Sequence, residues 1–125
     1  MSSGLRIALT VPCERFDVAL EWETDEPALG LFGASGAGKT TVLEALAGLR
    51  RQARGRIEVG GRIWLDSDRG VRLPPEARRV GYVPQDTLLF PHLDVLSNLR
   101  VGERRAGMSS RRLAADRVLE VLELQ

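Results

Sequence analysis

Alternating apolar and polar residues predict an antiparallel β region at the start of the chain. Apolar side chains occupy every second position through residues 5–11 and again through residues 16–22. A period of two is typical of half-buried strands, and residues 12–15 supply the connection between them. We therefore predict that residues 1–27 form an antiparallel strand pair.

A second alternating pair lies in the middle of the chain. Residues 57–59 and 63–65 carry apolar side chains at alternate positions, and Gly60 and Gly61 separate them. Two glycines between alternating runs predict a tight hairpin. The predicted antiparallel β region therefore continues over residues 55–66.

Two short apolar runs lack this alternation. Residues 28–32 and 80–83 are the continuous kind of run that predicts buried core strands, and the second run ends at Pro84 and Gln85. We therefore assign residues 28–54 and 80–86 to an α/β core.

Helical spacing appears in three places. One helix is predicted just after the stretch that ends at Thr41, and a short second helix, capped by Asp94, is predicted to run to Leu99. A third, amphipathic helix would be capped by Ser109 or Ser110, so residues 94–125 form the start of a helical region. The positions along the first and third helical faces are Val42, Leu43, Leu46 and Leu49, and Ala114, Val118, Val121, Leu122 and Gln125.

The stretch from Gly33 to Thr41 carries the clearest chemistry. It fits G-x-x-x-x-G-K-[ST], a phosphate-binding loop, and lies between a predicted strand and a predicted helix. Glycines allow successive backbone N–H groups and the start of a helix to face one anion. A glycine-rich turn at the start of a core helix is the alternative. The predicted nucleotide-binding residues here are Gly33, Ala34, Ser35, Gly36, Ala37, Gly38, Lys39, Thr40 and Thr41.

Two side chains of this loop have distinct expected roles. Lys39, the only lysine in the chain, would reach the β- and γ-phosphates of a nucleotide as a point charge. The Thr40 hydroxyl would ligate Mg²⁺. The phosphate loop by itself therefore predicts an NTPase that binds a nucleoside triphosphate with Mg²⁺.

Composition excludes some classes of protein without selecting one. The 125 residues are 43% hydrophobic and 28% charged, which is ordinary for one soluble globular domain. The net charge of +1 gives no case for nucleic acid as a partner. The single cysteine, Cys13, cannot form an internal disulfide, and no apolar run is long enough to span a bilayer. We therefore expect a cytoplasmic protein.

A second stretch makes the interpretation more specific. Residues 73–86 read L-P-P-E-A-R-R-V-G-Y-V-P-Q-D, and residues 89–95 continue as L-F-P-H-L-D-V. Together with the phosphate loop, they resemble the nucleotide-binding subunit of an ABC transporter of the importer type, over nearly the whole chain. Within that family the pattern is most similar to the ATPase of molybdate importers, although importer ATPases for sulfate, polyamines or sugars share much of it.

The resemblance implies a fold and several roles. The fold would be an α/β P-loop NTPase core of the ABC ATPase type with an antiparallel β subdomain, truncated at the start of the helical subdomain. Gln85 matches the family's Q-loop glutamine, which implies a catalytic role beside Lys39 and a metal contact beside Thr40. Phe16 is the candidate for the aromatic that stacks on adenine, with a core role as the alternative. Pro84 departs from the family, which more often has phenylalanine there.

The resemblance also implies partners. Two such subunits, as a homodimer, would close around ATP and drive membrane-spanning permease subunits, so the expected location is peripheral on the inner face of the cell membrane. The partly apolar residues 86–95 would line the groove that receives the permease.

Three other polar residues have no predicted functional role. His92 is predicted to be a polar loop residue, and Arg78 and Arg79 are predicted to form a solvated face.

Several family elements do not occur after Gln85. These are the signature sequence, the Walker B aspartate, the catalytic glutamate and the switch histidine. We therefore expect residues 1–125 to be the N-terminal part of a nucleotide-binding domain that is inactive alone, while the full-length subunit hydrolyses ATP. Another P-loop NTPase without a transport role, such as a kinase, and a binding module without turnover are the alternatives.

Overall fold

A computed structural model describes residues 4–86, 88–106 and 115–123. The chain divides into two compact units, residues 1–82 and residues 83–125.

The first unit is built on a five-stranded antiparallel sheet. The strands are β1 (Leu5–Val11), β2 (Val18–Thr24), β3 (Arg54–Val59), β4 (Arg62–Asp66) and β5 (Val71–Arg72). Their order in the sheet is β2-β1-β3-β4-β5, and every neighbouring pair is antiparallel. Both predicted strand pairs are confirmed, and the short fifth strand was not predicted.

Two places in this sheet depend on glycine. Gly60 and Gly61 have φ of 56° and 77°, the left-handed pair that a two-residue hairpin requires, which confirms the predicted turn. At Gly55, φ is 110° and an added Cβ would lie 2.0 Å from the carbonyl oxygen of Ala8. Only glycine lets β3 approach β1 this closely.

The buried face of the sheet packs against one helix, α1 (Lys39–Ala47). The alternation of β1 places Ile7, Leu9 and Val11 on this face, and α1 contributes Val42 and Ala45. Burial of these apolar side chains is the main force that holds helix and sheet together.

The helix ends earlier than its predicted apolar spacing suggested. Gly48, with φ of 87°, donates its N–H to the Ala45 carbonyl, and the Leu49 N–H donates to the Glu44 carbonyl. This left-handed glycine stop places Leu49 outside the helix, and Leu43 and Leu49 remain half-exposed. The prediction that the helical spacing continues to Leu49 was therefore wrong, whereas Leu43 lies in the helix as predicted.

The two predicted core strands do not form. Residues 28–34 and 80–84 have no regular secondary structure, and no described strand pairs with them. Phe32 and Val83 are 93% and 92% exposed. Apolar composition alone was not sufficient to form a strand, because a strand exists only when another strand satisfies its backbone N–H and C=O groups. Between β5 and the second run lies a one-turn helix, α2 (Pro75–Arg78).

The second unit contains two helices. The predicted cap is confirmed, because Asp94 accepts a hydrogen bond from the Ser97 N–H at 2.7 Å, and α3 (Val95–Ala106) runs past the predicted end at Leu99. The last helix, α4, spans Ala115–Val121. Ser109, Ser110, Ala114 and Gln125 lie outside the described residues. Within the described ranges, none of the helices has the length and apolar character needed to cross a membrane.

Candidate nucleotide site

The phosphate loop is an exposed turn held between β2 and α1. Gly36 and Gly38 have φ of 81° and 103°, and the Ala37 N–H donates to the Ala34 carbonyl at 3.1 Å. An added Cβ at Gly36 would meet no atom within 4 Å, so the loop is open to solvent on that side. The left-handed glycines curve the backbone into the concave form that binds anions.

The start of α1 supplies donors to this concavity. The Val42 N–H donates to the Gly38 carbonyl at 3.0 Å, which closes the first turn of the helix. The N–H groups of Lys39, Thr40 and Thr41 therefore precede the first intrahelical partners and remain available to an anion. No side chain caps this helix end, and the Thr40 side chain is exposed there.

Lys39 lies over the mouth of the loop. Its ammonium donates to the Gly33 carbonyl at 2.6 Å and to the Ala34 carbonyl at 2.7 Å. An ammonium has three donors, so this arrangement leaves one for a phosphate oxygen while the other two fix the side chain across the loop. The residues present thus fit a nucleotide polyphosphate.

The sheet anchors the loop at Gly38. An added Cβ at Gly38 would lie 2.6 Å from Val18 Cγ2, so the first residue of β2 packs directly against the loop backbone. Phe16 lies two residues before Val18, outside β2, and is 49% exposed. The alternative of a core role for Phe16 was therefore wrong. The exposed Phe16 ring comes just before the start of β2, and that start contacts the phosphate loop.

Gln85 belongs to the second unit, at an exposed bend. Lys39 and Thr40 belong to the first unit. The expected contact of Gln85 with Mg²⁺ or the attacking water stays a prediction, although the core strand that was to position it is absent.

The turn that follows Gln85 is organised by one side chain. The Asn98 amide accepts from the Phe90 N–H at 2.9 Å and donates to the carbonyls of Phe90, Leu93 and Asp94 at 3.2, 3.0 and 2.9 Å. This network fixes residues 90–94, while Leu88, Leu89 and Phe90 remain exposed. The Phe90 and His92 rings meet edge to face at 5.8 Å between centroids, and His92 is exposed.

Arg78 is a residue that sequence reasoning placed wrongly. Arg79 is exposed, as predicted, but Arg78 is only 4% exposed and hydrogen-bonds three backbone carbonyls. Burial, and to a smaller extent nearby Arg72, lowers the pKa of the Arg78 guanidinium. No pattern in the sequence separates these two adjacent arginines, because the burial of Arg78 depends on elements far from it along the chain.

This loop and its helix define a P-loop nucleotide-binding protein. The profile of the ABC transporter family matches residues 17–125, and the chain belongs to that family. The chain is 44% identical over 124 residues to Molybdenum import ATP-binding protein ModC 1 of Azotobacter vinelandii, covering 97% of this chain and 34% of that protein.

Other relatives carry the same description. The Molybdenum import ATP-binding protein ModC of Paramagnetospirillum magneticum is 47% identical over 95 residues, 76% of this chain and 26% of its own length. That of Escherichia coli O6:H1 is 54% identical over 79 residues, 61% of this chain and 22% of its own. The chain thus spans at most about a third of the length of these curated relatives.

Proposed function

We propose that this chain is the ATP-binding part of the ATPase subunit of an ABC importer that takes up molybdate or a similar oxyanion. The observation that carries the proposal is the phosphate loop, with Lys39 fixed across its mouth, in a chain that resembles molybdenum import ATPases over 97% of its length. ATP binding and hydrolysis at a homodimer interface would power the transport.

Each candidate residue has a proposed task. Lys39 and the N–H groups at the start of α1 would hold the phosphates, and Thr40 with Gln85 would hold Mg²⁺, which neutralises charge as the γ-phosphoryl group is transferred to water. Phe16, exposed beside the start of β2, would stack on the adenine ring.

The first test of this function is Lys39→Ala in the full-length subunit. Hydrogen bonds to charged groups contribute about 1.5–3 kcal/mol each, so ATP affinity should fall by roughly tenfold or more and turnover should be lost. Isothermal titration with ATP measures the effect, and Arg51→Ala, at an exposed position after the helix, is the matched control. Equal affinities of Lys39→Ala and wild type would refute the phosphate-loop assignment.

Hydrolysis should require family elements that residues 1–125 do not contain. The motif that would supply a general base does not occur after Gln85, so we propose that residues 1–125 alone release phosphate at the background rate. Phosphate release by the purified 125-residue chain, at a rate that Lys39→Ala removes, would contradict this proposal and favour a P-loop enzyme of another class.

The turn around Phe90 is the proposed contact with the permease. Leu88, Leu89 and Phe90 expose apolar side chains on one short segment, and exposed apolar patches commonly mark a docking site. This contact would place the subunit peripherally on the inner face of the cell membrane.

Two half-exposed aromatics allow a paired test of docking and nucleotide binding. In the full-length protein, Phe90→Asp should abolish co-purification with the permease and leave ATP affinity unchanged, whereas Phe16→Asp should do the reverse. Co-purification beside nucleotide titration separates the two. If Phe90→Asp assembles normally, the docking surface lies elsewhere; if it unfolds the subunit, Phe90 is a core residue.

A further inference from the structure

Arg78 is a buried cation that phosphate binding does not use. It is 4% exposed, and no carboxylate in the described part of the chain forms an ion pair with it. A buried charge is costly unless its hydrogen bonds are satisfied, so three carbonyls and one aromatic ring must compensate for it.

The contacts of the guanidinium reach three elements. Nε donates to the Leu73 carbonyl at 2.9 Å, and Nη1 donates to the carbonyls of Ala45 and Leu46 at 2.9 and 2.8 Å. The Arg78 Cζ lies 5.8 Å from the ring centroid of Trp64 on β4, a cation–π distance. One planar group thus joins the last turn of α1, β4 and the segment before α2. A lysine ammonium, which is a single point donor, cannot span all of these.

These contacts fix the C-terminal end of α1. Ala45 and Leu46 are in the last turn of α1, where the carbonyls carry partial negative charge, so a cation there is favourable even though the Ala45 carbonyl also accepts the Gly48 N–H. An added Cβ at Gly48 would lie 3.0 Å from Arg78 Nε, so the guanidinium packs closely against the backbone that ends the helix.

The opposite end of the same helix holds the phosphate chemistry. With nine residues, α1 is about 13 Å long, and a helix this short depends on tertiary contacts rather than on its own propensity. We propose that Arg78 is a positioning residue for the phosphate site: by fixing the C-terminal end of α1 it sets where Lys39 and Thr40 lie at the other end. The inference rests on the proposed function of the loop.

The test uses the full-length subunit with Arg78→Met and Arg78→Lys. ATP and pyrophosphate affinities are measured at a temperature well below the unfolding transition of each variant, which circular dichroism defines. We expect both affinities to fall on the order of fivefold in Arg78→Met, as for other residues that couple to a site through packing, and by less in Arg78→Lys. Arg79→Met, which removes an exposed charge at the adjacent position, should bind like wild type.

The outcomes separate this inference from the function on which it rests. If folded Arg78→Met melts earlier but binds both ligands like wild type, Arg78 only stabilises the fold and the inference is overturned. If neither variant folds, Arg78 is a folding residue and the inference is likewise overturned. Lys39→Ala, measured in parallel, tests the phosphate site itself. If Lys39→Ala loses binding while Arg78→Met binds normally, only the positioning role of Arg78 is refuted. If Lys39→Ala binds normally, the phosphate site is refuted, and the inference about Arg78 with it.

Discussion

The strands of the antiparallel sheet and the two continuous apolar runs have similar side chains but differ in structure and burial. Val11 on β1 is 0% exposed, whereas Val83 in the second run is 92% exposed. Each of these strands has a pairing neighbour: β1 pairs with β2, the next strand along the chain, β3 pairs with β4 across the two-residue hairpin, and β1 pairs with β3 although the two lie far apart in sequence. Residues 28–34 and 80–84 have no such neighbour among the described residues. The contrast shows that pairing partners, and not apolar content, decide whether a run becomes a strand.

The phosphate loop joins these two regions. It begins in the unpaired run and becomes fixed at Gly38, where Val18 of the sheet contacts the loop backbone. The proposed nucleotide site is therefore anchored by the antiparallel sheet at Gly38, although the run that precedes the loop is exposed.

The largest effect is expected at the point where sheet and loop meet. Gly38→Ala would adopt an unfavourable positive φ and force Val18 away, which together should lower the free energy of unfolding by roughly 2–5 kcal/mol. Gly36→Ala, at a similar φ but with open space around it, should lose only about 1–2 kcal/mol. Urea denaturation of the 125-residue chain compares the two. Equal losses would mean that the sheet does not anchor the loop.

A matched pair of valines tests the comparison between the two regions directly. Val11→Ala removes two buried methyl groups and should lower the free energy of unfolding by roughly 2 kcal/mol. Val83→Ala, in the exposed run, should change it by less than about 0.5 kcal/mol. The measurement is again urea denaturation of residues 1–125. A loss at Val83 as large as that at Val11 would show that the second run is packed after all.

The turn at residues 90–94 differs from both the paired strands and the unpaired runs. Its backbone is held by hydrogen bonds to the Asn98 side chain and not by a neighbouring strand. Asn98→Ala removes the acceptor of the Phe90 N–H, and a neutral hydrogen bond contributes about 1 kcal/mol, so exchange of the Phe90 amide should accelerate roughly fivefold. Asn98→Asp keeps the acceptor and should retain more of the protection. Unchanged exchange in Asn98→Ala would show that other contacts fix the turn.

The smallest effect concerns pH at the start of α3. Hydrogen bonds from the Ser97 hydroxyl and the Ser97 N–H lower the pKa of Asp94. Because the folded pKa lies below the unfolded value of about 3.9, the cap stabilises the helix fully above that pH and is lost as pH falls through the folded pKa. The Ser97 amide shift in an NMR titration should report this transition. Asp94→Asn, which also caps, should abolish the transition; a transition that persists would come from another group.

The sequence by itself determined the features whose physical cause is local. The hairpin at Gly60 and Gly61 and the phosphate loop from Gly33 to Thr41 each follow from a few consecutive residues, because backbone conformation and contiguous N–H donors produce them. The cap at Asp94 was found for the same reason, since a side chain and an N–H three residues away are sufficient.

Only the tertiary structure decided what depends on distant neighbours. Arg78 and Arg79 are chemically identical and adjacent, yet only Arg78 is buried, because the end of α1, more than 30 residues earlier, offers it two carbonyls. The exposure of Phe16 depends on where β2 begins, and the exposure of residues 28–34 depends on the lack of a described partner strand. Packing and pairing between remote segments are properties of the assembled chain, so composition and spacing could not predict them.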